Sequence, residues 1–116
     1  MRILIVEDEA IVAISMKMEL EMHGYSIVGV VSNGEESVST AIEQRPDFIL
    51  MDINLIGKIN GIEAARQIVE QINTKIVFLT GYADEENVKE AERLNPLAFQ
   101  NKPVSVTSLL PVLDRA

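Results

Sequence analysis

The chain has 116 residues, enough for one domain with a single core and too few for two. With 47% apolar residues it is not a disordered chain, and its net charge of −8 argues against nucleic acid as a direct partner, which would demand clustered Lys and Arg. The absence of Cys excludes disulfides, thiolate zinc sites and Cys nucleophiles and is compatible with a reducing cytoplasm, the expected location.

Met1 to Val6 is too short for the apolar core of a signal peptide, and no stretch approaches a transmembrane length, so no membrane partner is expected. Ile3 to Val6 reads instead as a central strand covered on both faces. From Glu9 to His23 the large apolar residues alternate at the strand period. The Met, Leu, Glu and Lys content and the stop at Gly24 nevertheless favour a helix, with Ile11, Ile14, Ser15, Met18 and Met22 along one face. Ile27 to Val31 is a second strand. Asn33 caps a helix over Glu35 to Gln44, which Pro46 closes, and Phe48 to Met51 is the third strand. After a loop with Gly57 and Gly61, residues Ile62, Ala65, Ile68, Val69 and Ile72 recur at helical spacing.

Ile76 to Leu79 is the fourth strand. Val88, Ala91 and Leu94 then give a thin apolar stripe among charges, the mark of a loosely anchored helix. Ala98 to Asn101 is the fifth strand, and Val106, Leu109, Leu110 and Leu113 supply a last helix that Pro111 should bend or delay. Strands alternating with helices predict one domain over residues 1–116: an α/β, doubly wound, five-stranded parallel sheet of order 2-1-3-4-5, the flavodoxin-like three-layer sandwich.

Parallel strands share a carboxyl end, so the residues that follow them gather at one sheet edge. Those residues are Glu7 and Asp8, then Asp52, Thr80, and Lys102 with Pro103. Alone, Asp52 reads as a loop acid or helix cap, and Glu7 with Asp8 as a solvated helix start. Together, three acids at one edge repel one another unless a cation is shared, and oxygen ligands suit a hard divalent ion, Mg²⁺ above all. His23, at a helix end, reads as structural, and the Met residues as core filler.

In order and approximate spacing, over the whole chain, these residues resemble the phosphoacceptor receiver domain of two-component response regulators. The resemblance implies that Asp52 accepts a phosphoryl group from a histidine kinase or phosphotransfer domain. It implies Mg²⁺ bound by Asp8, Asp52 and the main-chain carbonyl of Asn54, with Glu7 acting through water. Thr80 and Lys102 would contact the phosphoryl oxygens, Thr80 and Phe99 would form the switch, and the Lys102–Pro103 peptide would be cis. Asn54 and Tyr82 would flank the phosphoryl path. The expected role is signalling rather than enzymatic turnover: a change around the fourth helix, fifth strand and fifth helix would control an output domain or protein. A phosphorylation-dependent dimer is left open.

The chain departs from the commonest receiver pattern after Asp52, where Leu55 and Ile56 replace a usual Met-Pro pair and the loop to Gly61 is one residue longer. This resembles a receiver subgroup often joined to sensor proteins. Two other classes fit less well. A dehalogenase-type aspartyl-phosphate phosphatase wants a second Asp where Asn54 stands, and a flavodoxin-like nucleotide module would set Glu7 and Asp8 against a phosphate. A degenerate receiver that serves only as an interaction module is the remaining alternative, opposed by the presence of every acceptor-site residue.

Overall fold

A computed structural model of the chain describes residues 1–81 and 85–115. The elements are β1 (Arg2–Val6), α1 (Ala10–Met22), β2 (Ser26–Val31), α2 (Gly34–Gln44), β3 (Phe48–Asp52), α3 (Gly61–Val69), β4 (Lys75–Thr80), α4 (Glu85–Glu92), β5 (Ala98–Asn101) and α5 (Val106–Asp114). All strand pairings are parallel and the order is β2-β1-β3-β4-β5, as the alternating pattern predicts.

The fully apolar strands are those buried on both faces. Side chains of β1, β3 and β4 alternate between two cores. One core holds Leu4, Val6, Ile49, Met51, Ile76 and Phe78 with Ala41 of α2, Ala65 and Ile68 of α3, and Ala91 of α4. The other holds Ile3, Ile5, Phe48, Leu50, Val77 and Leu79 with α1 and α5.

Asn33 caps α2 by accepting the Glu36 N–H at 2.8 Å, and Asn60 caps α3 by accepting that of Glu63 at 2.9 Å. In α4, Ala91 is the one fully buried side chain among those described, while Val88 and Leu94 pack partly against the core. Pro111 does not delay its helix: α5 starts at Val106 and runs through Pro111, whose exposed position lets the ring face away from the core. Its buried face also includes Val112, and Leu110 is only partly buried.

The face expected to be buried on α1 is the wrong one. Ile11, Ile14, Met18 and Met22 are 54–85% exposed, and Ala13, Met16 and Leu20 pack on the sheet instead. Apolar residues on both sides of this helix leave periodicity undecided. The three-residue link from β1 sets the helix phase and so chooses the inner stripe.

Gly61 fixes how α3 leaves the sheet. A Cβ there would lie 2.0 Å from the carbonyl oxygen of Asp52, and the Gly61 N–H donates to the Ile53 carbonyl at 3.0 Å. Gly24, by contrast, has a positive φ of 91° with nothing near its Cβ direction. Gly61→Ala should therefore cost about 3 kcal/mol or more, since backbone must move, and Gly24→Ala only about 1 to 2 kcal/mol of backbone strain. Urea unfolding of both variants measures the difference, and equal losses would remove the special role given to Gly61.

Candidate functional site

The ends of β1 and β3 are adjacent in the sheet, which puts Glu7, Asp8 and Asp52 side by side. One carboxylate oxygen from each lies within 4.8 Å of the others. Glu7 and Asp52 are each 2% exposed, while Asp8 reaches solvent. Lys102, just past β5, brings its Nζ to 2.7 Å from Asp52 Oδ2 and 3.3 Å from Glu7 Oε2. The Lys102–Pro103 peptide bond is cis, and the Lys102 N–H donates to the Thr80 carbonyl at 2.8 Å.

Asp52 is held at both oxygens, since Oδ1 accepts the Asn54 N–H at 3.0 Å. Glu7 is held at one. Its Oε1 accepts the Glu9 N–H at 3.1 Å, but Oε2 is buried without a hydrogen bond, close to Lys102 yet not aligned with it. Burial pushes the Glu7 carboxyl up to about 7, helped by the nearby Asp52 charge and opposed by the Glu9 N–H and Lys102. Burial also works to lower the Lys102 pKa, but the Asp52 hydrogen bond and the Asp52 and Glu7 charges outweigh it, so the ammonium is held above its ordinary value.

A divalent cation fits these residues. The ligand atoms on offer are all carboxylate oxygens, the Lys102 ammonium contacts only Glu7 and Asp52 of the three acids, and Glu7 Oε2 is a buried oxygen without a hydrogen bond.

Thr80, 4% exposed, ends β4 on the face that carries Phe78. Its hydroxyl donates to Asn101 Oδ1 at 3.1 Å. Phe99 sits opposite Phe78 in register and stacks on it, with ring centroids 5.7 Å apart and an interplanar angle of 22°. Phe99 is half-buried beside the core that includes Ala91 of α4. His23 closes α1 with Nδ1 2.9 Å from the Glu19 carbonyl, away from this edge. Tyr82 lies outside the described residues.

Sequence reasoning names every acid and cation of this cluster but misses Asn101. A polar residue at a strand end carries no signal of its own, and only the register of β4 with β5 pairs it with Thr80. It also misses Glu35, whose Oε1 accepts the Ile59 N–H at 2.9 Å and fastens the loop after Asp52 to the start of α2.

Between α1 and the segment around Pro103 a groove of about 560 Å³ opens beside the cluster, with Glu7 and Lys102 at one side and Ile11, Val12 and Met16 along α1.

Comparison with known proteins assigns the class. The family model of the response regulator receiver domain matches residues 3–114, and the chain belongs to that family. The chain is 34% identical over 115 residues to the transcriptional regulatory protein PdtaR of Mycobacterium tuberculosis, covering 99% of this chain and 56% of that protein. It is 30% identical to the chemotaxis protein CheY of Thermotoga maritima, covering 98% of this chain and 95% of that one. Among solved structures, the signal receiver domain of a modulated diguanylate cyclase from Desulfovibrio desulfuricans G20 superposes with a TM-score of 0.93 at 38% identity, covering 99% of this chain and 91% of that one. The chain thus spans about half the length of several curated relatives, PdtaR included, and nearly all of CheY. Receiver domains are signalling domains of two-component systems rather than typical enzymes, and they bind Mg²⁺ at an acidic cluster. No described helix is long and apolar enough to cross a membrane.

The Glu7 carboxyl gives a pH prediction. Its folded pKa of about 7 lies above the ordinary 4.5, so the folded state holds the extra proton between the two values. In metal-free buffer, stability should therefore fall as pH rises from about 5 to about 8, by at most roughly 3 kcal/mol. Glu7→Gln, neutral throughout, should flatten that slope. Urea midpoints across the range with EDTA test it, and an unchanged slope in the variant would reassign the proton.

Proposed function

We propose that Asp52 is the phosphoacceptor of this receiver, taking a phosphoryl group from a histidine kinase or phosphotransfer domain and passing the change to an output domain or protein. The observation that carries the reading is the setting of Asp52: a buried carboxylate within the acid cluster, 2.7 Å from the Lys102 ammonium. As one Asp52 oxygen bonds to phosphorus, the bond from phosphorus to the donor breaks and the donor keeps the electron pair. Lys102, whose ammonium contacts Asp52, would accompany the oxygens of the transferred group, and Thr80 would turn its hydroxyl from Asn101 to donate to them.

Mg²⁺ would be held by Asp8, Asp52 and the Asn54 carbonyl, with Glu7 acting through water. When bound it offsets the negative charge that otherwise opposes an anionic donor. Asp52 is oriented by the Asn54 N–H, and Glu7 keeps its unsatisfied oxygen on the cluster's side of the site. The switch reading assigns Thr80 and Phe99 to the response, with α4, β5 and α5 as the surface that changes. Residues 1–116 form the receiver unit, with cytoplasmic location the natural reading for such a partner set.

A phosphodonor domain approaching Asp52 would come over the groove lined by Glu7 and Lys102, whose α1 wall continues through Ile11 into the exposed stripe of Ile11, Ile14, Met18 and Met22. We assign that stripe to contact with the donor.

Two experiments separate chemistry from docking. Incubation with acetyl phosphate and Mg²⁺ should add one phosphoryl group by intact mass, and Asp52→Asn should take up none; equal uptake by both would sink the assignment. Ile11→Ser, at an 85% exposed position, should leave stability within about 0.5 kcal/mol and acetyl phosphate uptake unchanged. It should slow transfer from a phosphorylated histidine domain tenfold or more, on the order of 1.4 kcal/mol. Equal slowing with both donors would show that the stripe matters for chemistry instead.

A further inference from the structure

The hydroxyl of Thr80 has one proton and can donate it to one acceptor at a time. In this structure that acceptor is Asn101 Oδ1, 3.1 Å away. Asp52 meanwhile has its own partners, the Lys102 ammonium at Oδ2 and the Asn54 N–H at Oδ1. The Thr80 proton is therefore turned along β5 and not toward the acceptor.

The pairing is built into the sheet. Thr80 and Asn101 are register partners across β4 and β5, two residues on from the Phe78 and Phe99 pair, so all four side chains stand on one face. The backbone fixes this approach independently, since the Lys102 N–H donates to the Thr80 carbonyl at 2.8 Å. Thr80 is buried and Asn101 exposed, which lets the amide leave for water at little cost once the hydroxyl turns away.

We propose that Asn101 is a positioning residue that holds Thr80 in the resting state, so that phosphorylation of Asp52 must compete with a standing hydrogen bond before the switch can turn. The inference rests on the reading of Thr80 as the group that answers a phosphoryl at Asp52. Asn101 touches no reacting atom. It sets the fraction of molecules in which the Thr80 proton is available, and a ligand that needs that proton binds with an affinity reduced by this fraction. One neutral hydrogen bond is worth roughly a three- to tenfold change in such an equilibrium.

The test uses the whole chain, with beryllofluoride and Mg²⁺ as the phosphoryl probe. Asn101→Leu removes the acceptor while keeping size, and Asn101→Asp keeps an acceptor oxygen. In the absence of probe, three-bond couplings to the Thr80 methyl should show a changed rotamer distribution in Asn101→Leu and the wild-type distribution in Asn101→Asp. Amide shifts of Val88, Ala91 and Phe99 in probe-free Asn101→Leu should move part of the way along the line from free to probe-saturated wild type. Beryllofluoride should bind Asn101→Leu roughly three- to tenfold tighter than wild type.

Unchanged Thr80 couplings and unchanged affinity in Asn101→Leu would overturn the proposal, as would a looser probe in a variant that melts like wild type. If wild type itself bound no beryllofluoride, the acceptor reading would fail. If wild type bound it and shifted the α4 amides while Asn101→Leu behaved identically, the acceptor reading would stand and the Asn101 hold would fall.

Discussion

Everything at the functional edge depends on carboxylates that would separate if they could. Glu7, Asp8 and Asp52 have oxygens within 4.8 Å of one another and one ammonium, Lys102, among them. Their mutual interaction does not hold them there. The burial of β1 and β3, whose side chains are wholly inside from Ile3 to Val6 and from Phe48 to Met51, fixes where both strands end. Apolar packing thus sustains a charge arrangement that is unfavourable by itself, and the same burial, more than the neighbouring Asp52 charge, raises the Glu7 carboxyl. A bound cation would relieve the crowding, and the same repulsion would then become a source of affinity.

The two faces of the sheet divide the work. Thr80, Phe78 and Phe99 face the core shared with α2, α3 and α4, whereas α1 and α5 cover the opposite core. A rearrangement that began at the Thr80 hydroxyl would therefore meet α4 before it met α1. On that side Phe99 is only half-buried and α4 is anchored mainly through Ala91. Packing there can be exchanged at lower cost than in β1 or β3, where each side chain is enclosed on both sides. The rigid strands keep Asp52 in place, while the less enclosed edge has room to repack.

Much of this was legible in the sequence because parallel strands convert a one-dimensional pattern into a shared edge. Apolar runs ending in Glu7 and Asp8, Asp52, Thr80 and Lys102 needed only the sheet order to become neighbours, and the alternation of strand and helix supplied that order. What was not legible depends on register and rotation. Asn101 becomes the partner of Thr80 only when β5 is aligned on β4 residue by residue. Gly61 is an unremarkable loop glycine until the chain turns back so sharply that a methyl group would meet the Asp52 carbonyl.

The rotation of α1 shows why periodicity alone is an incomplete guide. Its large apolar residues alternate, so a helix built from them carries them on two sides, and the sequence offers two candidate inner faces. The inner stripe of Ala13, Met16 and Leu20 wins because the short link from β1 leaves the helix little freedom to turn. The outer stripe then remains in water, at a hydrophobic cost that the fold itself does not require. Ile11 joins that stripe to the groove lined by Glu7 and Lys102, so the exposed apolar surface begins beside the acid cluster. On the proposed function, a partner that delivered a phosphoryl group to Asp52 would bury this surface in the same approach, and the hydrophobic gain would be realised only when donor and acceptor were already side by side.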